Sequence, residues 1–459
     1  STIAYLTDII DVDPIVWHTV FSRFANEDRK ELGDIDIDIS PTQRHLVYEH
    51  IIDSFGADYT AYILAIGTIS DKGTIDEIGR ALDYPLDEVT NIKRAYEADP
   101  EKAKKDYPGL FYYFDGLLNT AISQSMHPAG IIVSPITLPD NYGTFWADGK
   151  RILQINMEEC HEVSLNKYDL LGLKNVEIIK DTCALAGIPY PKSNEINWND
   201  EKVWADMVTS PAGIFQFEGD YAFKMLQSFQ PHKINDMSLV NAALRPSGAS
   251  YRDRLLAHEI NHNPSEIFLV FQEDTIAFLQ KICGLSGSEA DNIRRAIGRK
   301  QKDRLEKAMP SILEGYCSKS DKPRSVAEEE AKAFLQIIED SSNYQFGFNH
   351  STGYSMIGYT CAYMRYYYPK QFIAAYLNNA NNEDDIVNGT NLAQSKGIEI
   401  LPAKFGHSKD IYLPDEKENK IYKGVASIKF LNSDVANVLY DMREQNFDSF
   451  IDIIKAFPG

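Results

Sequence analysis

Acidic and isoleucine residues alternate strictly from Asp34 to Ile39. A period of two predicts a β-strand, because successive side chains of a strand point to opposite faces of a sheet. Asp34, Asp36 and Asp38 therefore share one face, and the isoleucines pack on the other. Carboxylates this close repel one another unless water or cations screen them, and hard divalent ions such as Mg²⁺ prefer oxygen ligands. The strand is thus a candidate metal site, and a half-exposed acidic strand is the alternative.

The remaining pattern predicts a helix-rich chain interrupted by short strands. Ser40-Pro41 is a typical helix start, and apolar residues follow it at helical spacing. Helical patterns are predicted in residues 67–123, 175–380 and 433–443. Strands are predicted at residues 126–135, 152–155, 164–173, 397–401 and 421–424.

Three local patterns make narrower predictions. Ser288 with Asp291, and Ser325 with Glu328, have the spacing of N-terminal capping boxes. Residues 344–354 mix aromatic residues, glycines and hydrogen-bonding side chains. This mixture predicts a loop, which either packs on the aromatic helix that follows or contacts a base and sugar.

Length and composition limit the classes of protein. A chain of 459 residues is too long for one ordinary core, so several subdomains are expected. With 44% hydrophobic and 25% charged residues and no membrane-spanning run, it is of the globular class. Five scattered cysteines without a CxxC pair argue against disulfides and a thiolate zinc site, and predict a reducing, cytoplasmic location. The net charge of −21 argues against nucleic acid as a partner unless a local basic surface exists.

The strongest local reversal of that charge is the run Arg294-Arg295-Ala-Ile-Gly-Arg299-Lys300. The run continues to Lys302, and in a helix Arg295, Arg299 and Lys302 fall on one face, where such a cationic stripe can hold a triphosphate or a nucleic-acid backbone. Taken alone, such a stripe is more often a solvated face.

Two further residues are ambiguous on their own. Asp169 lies in an apolar run, where a carboxylate needs a partner. That partner is either Lys167 or backbone amides, or else a metal ion shared with Asp34 and Asp36. His127 lies beside Pro128, and a lone histidine is usually structural.

Taken in order, these segments resemble the C family of bacterial replicative DNA polymerases, the polymerase III alpha subunits. The most specific match is Gly33-Asp-Ile-Asp-Ile-Asp38 followed, at family spacing, by Lys167-Tyr-Asp-Leu-Leu-Gly-Leu173. Between them, the strand of His127 resembles the family's His-x-Gly-Gly strand. Further segments that match in order are Ile214–Glu218, Ala243–Pro246, Phe271–Glu273, Arg294–Lys300 and Gly347–Ser351.

The resemblance implies an α+β, multidomain fold with a nucleotidyltransferase-like palm sheet and a helical thumb and fingers. It assigns the palm to residues 1–65 and 124–173, the thumb to 66–123, the fingers to 174–380, and the start of a clamp-binding region to 381–459.

The implied activity is template-directed DNA polymerisation, by nucleotidyl transfer from a dNTP to a primer 3′-hydroxyl. By similarity, Asp34, Asp36 and Asp169 are catalytic and hold two Mg²⁺ ions, which Mn²⁺ can replace, and Asp38 is a more variable third acid of the strand. The residues expected to bind the dNTP are Arg23, Lys167, Arg294, Arg295, Asn349 and Ser351. Those expected to bind DNA are His127, Arg299 and Lys300.

The chain also departs from the family pattern. Asn349-His350-Ser351-Thr352 replaces Asn-Lys-Ser-His, Gly33 replaces a proline, and Phe430-Leu431-Asn432 replaces hairpin glycines. Two other functions therefore stay open. One is a catalytically idle DNA-binding or scaffolding remnant, and the other is a two-metal nuclease that uses the same acids.

The expected partners are primer-template DNA and dNTPs, and no membrane. A sliding clamp is a further expected partner, bound through sequence beyond this chain, because we expect the chain to be a piece of a longer polypeptide.

Overall fold

The computed structural model describes residues 2–19, 35–245, 248–249, 251–259, 270–298, 302–341 and 346–457. Four residues with expected site roles lie outside these ranges: Arg23, Asp34, Arg299 and Lys300. The chain divides into two compact units. The sheet unit comprises residues 30–172, and the helical unit comprises residues 1–29 and 173–459. The fold is mixed α and β with a helical majority, as the sequence predicted.

The sheet unit is built on a six-stranded mixed sheet in the order β1-β6-β3-β2-β5-β4. Its strands are β1 (Ile35–Ile39), β2 (Thr60–Thr68), β3 (Ala121–Val133), β4 (Thr144–Ala147), β5 (Lys150–Asn156) and β6 (Asn166–Gly172). Strand β1 pairs parallel with β6, which pairs antiparallel with β3. The helices of this unit are α2 (Arg44–Phe55), α3 (Asp71–Ala81), α4 (Leu86–Ala98), α5 (Pro100–Asp106), α6 (Pro108–Phe111), α7 (Phe114–Leu117), α8 (Leu138–Tyr142) and α9 (Met157–Glu162). The predicted acidic strand is confirmed as β1.

Both faces of this sheet are covered, which explains why neighbouring strand residues are buried in succession. Tyr62 and Ile131 pack with α2 on one face, whereas the next residues along each strand, Ile63 and Ile132, pack in a separate core on the other. Alternation along each strand therefore distributes apolar side chains to two cores. The five helices α3–α7 form a third core around Ile75, Ile92, Leu110 and Phe114.

The helical unit contains three clusters of buried hydrophobic residues. Its helices are α1 (Thr2–Leu6), α10 (Lys174–Ala186), α11 (Glu201–Met207), α12 (Asp220–Phe229), α13 (Ile234–Ala243), α14 (Arg252–Leu256), α15 (Gln272–Ala277), α16 (Gly287–Gly298), α17 (Lys302–Lys319), α18 (Arg324–Ser341), α19 (Phe348–Tyr367), α20 (Pro369–Asn378), α21 (Glu383–Ser395), α22 (Ser433–Asp441) and α23 (Phe450–Ala456). Its three strands are β7 (Glu399–Leu401), β8 (Leu413–Pro414) and β9 (Lys420–Tyr422). Among the described residues, no helix is both long and apolar enough to cross a bilayer.

Both predicted capping boxes are wrong. At the start of α16, Ser286 and Glu289 form the reciprocal pair: the Glu289 backbone N–H donates to the Ser286 hydroxyl at 3.3 Å, and the Ser286 backbone N–H donates to the Glu289 carboxylate at 2.9 Å. The Asp291 side chain therefore takes no part in this cap. Helix α18 begins at Arg324, one residue before the predicted cap, and Arg324 instead pairs with Glu328.

The predicted loop over residues 344–354 is also wrong for its second half. Helix α19 begins at Phe348, so Asn349 and Ser351 lie in its first turn. The buried carboxylate of Glu273 explains this early start, because it accepts a hydrogen bond from the Phe348 backbone N–H at 2.8 Å. A carboxylate from a distant segment thus satisfies a helix N-terminus, as a local cap would.

Candidate functional site

Two carboxylates lie side by side on neighbouring strands of the sheet unit. Asp36 of β1 is the register partner of Asp169 of β6. Register partners in adjacent strands project from the same face, with the strands about 4.8 Å apart. Asp38 follows on the same face of β1, and its pKa is raised by partial burial and by the neighbouring charge of Asp36. The strand pairing therefore gathers acids that are more than a hundred residues apart in sequence.

Asp169 is held in an unusual environment for a carboxylate. It is only 9% exposed, and its Oδ2 lies 2.8 Å from the ammonium of Lys167, which is also buried. The Lys167 ammonium lies 3.4 Å from the sulfur of Met157. The second oxygen, Oδ1, is buried and has no hydrogen-bond partner among the described residues. Leaving a carboxylate oxygen unpaired in this way is costly.

These acids could hold a divalent cation, because an unpartnered buried carboxylate oxygen beside a second carboxylate is the kind of ligand that such ions prefer. Among the described residues, no group of three or more His, Cys, Asp or Glu side chains is arranged to hold a metal. Asp34, the other predicted ligand, lies outside the described residues.

His127 and Gly130 shape the strand beside Asp169. Between Ile131 and Met126, four residues of β3 bulge out opposite a single residue of β2. The His127 Nδ1 accepts hydrogen bonds from the backbone N–H groups of Gly130 (2.8 Å) and Ala129 (3.3 Å). Because Nδ1 acts as an acceptor, the ring proton of the neutral form lies on Nε2, which can donate to a ligand.

Gly130 is the register partner of Asp169. A Cβ at this position would lie 2.8 Å from Ile63 Cδ1, 2.9 Å from His127 Nδ1 and 3.1 Å from Asp169 Oδ1. The imidazole and the carboxylate therefore flank the same glycine, and no larger residue fits there without displacing one of them.

In the helical unit, one buried carboxylate holds both predicted triphosphate-binding arginines. Asp291 Oδ1 accepts from the Arg294 Nε at 3.0 Å, and Asp291 Oδ2 lies 3.3 Å from the Arg295 Nε. Arg294 also donates to the Gln272 side chain at 3.0 Å, and Arg295 donates to Asn292 at 2.9 Å. These contacts limit the movement of the two guanidinium groups, so that their positive charges stay close together.

The dipeptide Gln272-Glu273 connects these arginines with the start of α19. Gln272 contacts Arg294, and the next residue, Glu273, accepts from the Phe348 backbone. Asn349 is half-buried, whereas Ser351 is fully buried and its hydroxyl donates to the Ser238 carbonyl at 2.8 Å.

The structure thus forms one cluster of predicted site residues in each unit. The sheet unit brings together Asp36, Asp38, Lys167, Asp169 and His127. The helical unit connects Arg294, Arg295 and Asn349 through α15 and α16, with Ser351 buried behind them. The roles of these residues in binding stay predictions.

Sequence reasoning missed three supporting residues. Gly130 was seen only as part of a strand, and Asp291 was taken for a helix cap. Met157 had no detectable pattern at all. Only Asp291 had a usable signal, since a carboxylate three and four residues before two arginines has the spacing of helical ion pairs.

The amino-acid sequence matches two family profiles. Residues 1–172 match the bacterial DNA polymerase III alpha NTPase domain. Residues 175–320 match the bacterial DNA polymerase III alpha subunit finger domain. The first profile ends at residue 172, where the sheet unit also ends, although residues 1–29 of that profile belong to the helical unit.

Curated relatives named DNA polymerase III subunit alpha match nearly the whole chain. The protein of Treponema pallidum (strain Nichols) is 28% identical over 502 residues, which cover 100% of this chain and 42% of that protein. That of Ureaplasma parvum serovar 3 is 28% identical and covers 99% of this chain and 50% of its own length. That of Bacillus subtilis (strain 168) is 28% identical, with coverages of 100% and 44%. The chain spans half or less of the length of these relatives.

Proposed function

The chain belongs to the bacterial DNA polymerase III alpha family, and from this premise we propose that it is a template-directed DNA polymerase. The reaction is nucleotidyl transfer from a dNTP to the 3′-hydroxyl of a primer. One observation supports the proposal most: Asp36 and Asp169 are paired across adjacent strands, and Asp169 Oδ1 is buried without a partner. In this proposal the six-stranded sheet is the palm, α3–α7 are the thumb, and residues 174–380 are the fingers.

Asp34, Asp36 and Asp169 are the proposed ligands of two Mg²⁺ ions, with Asp38 beside them, and Mn²⁺ is the expected substitute. The unpartnered Asp169 Oδ1 fits this assignment, since a cation would satisfy it. When bound, the ions would activate the primer hydroxyl and stabilise the leaving pyrophosphate.

Side chains of the chain itself have the remaining roles. Lys167, which the sequence predicted to bind the dNTP, is buried and lies 2.8 Å from Asp169 Oδ2, so in this proposal it holds the carboxylate in place while Oδ1 stays without a partner among the described residues. His127 offers its Nε2–H to the primer terminus, because Nδ1 is occupied by the backbone.

Residues of the helical unit and residues outside the described ranges have further proposed roles in substrate binding. Arg294 and Arg295, oriented by Asp291, bind the triphosphate as bidentate donors, together with Arg23. The sugar lies near Asn349. Arg299 and Lys300 contact the DNA backbone. Ser351, which the sequence predicted to bind the dNTP, is fully buried and donates to the Ser238 carbonyl, so in this proposal it supports the first turn of α19 instead.

Primer extension tests the proposal directly. The chain is incubated with a primed DNA template, four dNTPs and Mg²⁺, and compared with Asp169→Asn. We expect extension by the parent chain and a loss on the order of 10²–10³-fold in the variant, the size expected when one preorganised electrostatic group is removed. Asp87→Asn, in the exposed first turn of α4, is the control and should extend primers as the parent does.

Other outcomes contradict the proposal in separate ways. Equal extension by Asp169→Asn would show that the metal site lies elsewhere. Shortening of the labelled primer in the absence of dNTPs, lost in the variant, would favour a two-metal nuclease. No extension, together with no gain in thermal stability on adding Mg²⁺ or Mn²⁺, would favour an idle DNA-binding remnant.

A further inference from the structure

A cavity of about 390 Å³ lies within the sheet unit, on the face of the sheet that α2 covers. Tyr62 and Ile131, which line it, project from that face. Gly130, the neighbour of Ile131 along β3, aligns with Asp169 on the opposite face. The cavity is therefore separate from the carboxylate site. Its volume is within the range of small-molecule sites.

The β4–β5 hairpin forms the outer wall of the cavity. Asp148 and Gly149 form a two-residue turn with φ values of 49° and 71°, which suits a tight hairpin. The turn sets Trp146 directly opposite Arg151, whose guanidinium carbon lies 5.3 Å from the indole centroid. Trp146 is 63% exposed, so a flat aromatic surface remains available beside a fixed cation.

Two donors in the cavity wall have no partner among the described residues. Tyr62 is only 6% exposed, and nothing accepts a hydrogen bond from its hydroxyl. Burial and the neighbouring Tyr48 raise the pKa of Tyr62 to about 12, so the hydroxyl keeps its proton at neutral pH. The Arg151 Nε is buried and has no hydrogen-bond partner in the described part of the chain, although the NH1 group of Arg151 donates to Asp58 at 2.7 Å. An unpaired buried donor is uncommon, and an acceptor atom that enters the cavity would satisfy it.

The charges around the cavity are nearly balanced. Lys150 and Arg151 are offset by Asp58, Glu49 and Asp148. Such a lining binds a phosphate poorly, because a phosphate site needs an excess of positive charge. It suits instead a neutral planar ring that carries both acceptor and donor atoms, because Glu49 and Asp148 can accept where Tyr62 and Arg151 donate.

We propose that this cavity binds a nucleobase, stacked on Trp146, with acceptor atoms facing the Tyr62 hydroxyl and the Arg151 Nε. The base can come from a free deoxynucleoside or nucleotide, or from an unpaired nucleotide of a single strand. An apolar side chain of a peptide fits less well, because it would leave both donors unpaired. The inference does not depend on polymerase activity.

Binding is measured without metal, in EDTA, by titrating the chain with each of the four deoxynucleosides and with 2-deoxyribose 5-phosphate. A second series uses a fluorescein-labelled oligo(dT) at two salt concentrations. We expect at least one deoxynucleoside to bind and deoxyribose phosphate not to bind. Tyr62→Phe, which keeps the ring and the fold, should raise Kd about fivefold. Trp146→Ala should raise it about tenfold or more.

Two control variants locate the binding. Tyr59→Phe lies outside the cavity lining and should bind as the parent does. Asp36→Ala, on the opposite face of the sheet, should also leave Kd unchanged. Binding of the oligonucleotide with the same dependence on Tyr62 would extend the proposal to single strands, and its absence would restrict it to the free compound.

Three results would overturn the proposal. The first is no deoxynucleoside binding at millimolar concentration. The second is unchanged binding in Tyr62→Phe and Trp146→Ala. The third is equal binding of deoxyribose phosphate, which would identify a phosphate site. Because no metal or primer is present, these results are independent of whether the chain extends primers.

Discussion

At the residue scale, the site depends on a single carboxylate with two different oxygens. Asp169 Oδ2 is paired with Lys167, whereas Oδ1 is buried beside Gly130 without a partner. The ion pair with Lys167 offsets part of the free-energy cost of burying the Asp169 carboxylate. The rest of that cost remains, because Oδ1 has no partner within the described ranges. The folded chain is therefore less stable than it would be with both oxygens hydrogen-bonded, which is typical of groups that bind a ligand.

Gly130→Ala tests the packing of this carboxylate. The added methyl would lie within 3.1 Å of Ile63, His127 and Asp169 atoms, so at least one must shift. We expect primer extension to fall by tenfold or more, and the free energy of unfolding to fall by about 1–3 kcal/mol, as for other overpacked sites. Both are measured on the same preparation, by single-turnover extension and by urea unfolding.

Gly116→Ala is the matched control, because a Cβ at Gly116 in α7 meets nothing within 4 Å. It should leave primer extension unchanged. Its free energy of unfolding should equal that of the parent or be slightly higher. Normal extension by Gly130→Ala would show that the geometry around Asp169 is not needed for activity.

At the element scale, α15 and α16 act together to fix the arginine side chains. Asp291 projects from α16 into a buried position and accepts from Arg294, and it also lies beside the guanidinium of Arg295. The adjoining end of α15 supplies Gln272 to Arg294 and Glu273 to α19. In the proposed function, Asp291 is thus a positioning residue, since it would affect the substrate only through the arginines.

Asp291→Asn should weaken dNTP binding more than it slows chemistry. The amide keeps the shape but loses the charge that attracts both guanidinium groups, and charged hydrogen bonds contribute about 1.5–3 kcal/mol. We expect KM for dNTP to rise about tenfold, with kcat changed less than about threefold. Steady-state extension over a range of dNTP concentrations measures both. The control is Asp303→Asn, at an exposed position of α17, and it should change neither KM nor kcat. A fall in kcat alone would contradict the positioning role.

At the scale of the whole molecule, an acidic chain of net charge −21 places its buried charges in pairs. Within the helical unit, Arg365 of α19 is fully buried and donates to the Asp206 carboxylate at 2.9 Å. Its other nitrogens donate to backbone carbonyls of Asp206, Ser210 and Ala212. Lys396 also contacts Asp206. These bonds tie α11 and α19 to the segment after α21.

Asp206→Asn should be strongly destabilising. Removing one partner leaves the Arg365 charge buried without its counter-charge, which costs about 3–5 kcal/mol in such pairs. Urea unfolding followed by circular dichroism measures the change. Asp321→Asn, an exposed residue of the turn before α18, should cost almost nothing by comparison. Similar unfolding curves for the two variants would contradict this account of the pair.

The helical unit should also lose stability in acid through Asp385. Burial raises the pKa of this carboxyl, but the Asn381 backbone N–H, the Lys174 ammonium and the Tyr376 hydroxyl outweigh it and hold the pKa below 3.8. Since the folded pKa is below the unfolded value, the contribution to stability is complete above pH 3.8 and is lost as the pH falls through the folded pKa. The measurement is Tm against pH for the parent and Asp385→Asn.

The Tm difference should be largest near neutral pH and should shrink below about pH 4. Asp384→Asn, the exposed neighbour in the same helix turn, should show no such trend. A difference that stays constant down to pH 3 would contradict the charged interaction.

Much of the fold could be predicted from local pattern. The alternation in β1, the strands predicted near residues 126–135, 152–155, 164–173, 397–401 and 421–424, and the short helices of residues 71–117 are confirmed, because each depends on residues that are neighbours in sequence. The strands β2, β4 and β8 were not predicted. The pairing of Asp36 with Asp169 was foreseen as a candidate, and the register of β1 and β6 brings these two residues together. Asp38 lies on the same face of β1, and the His127 ring lies beside Gly130, the register partner of Asp169, but the predicted roles of both residues stay predictions.

The errors in helix starts have both distant and local causes. Helix α19 starts early because Glu273 caps it from another segment, and Asp291 binds arginines because Ser286 and Glu289 already cap α16. The unpartnered oxygen of Asp169 and the cavity behind Tyr62 could not be read from the chain either. Sequence by itself determined which elements form and which acids share a strand face, since both depend on periodicity. Only the tertiary structure decided which polar atoms find partners, because hydrogen bonding and burial depend on segments that meet after the chain has folded.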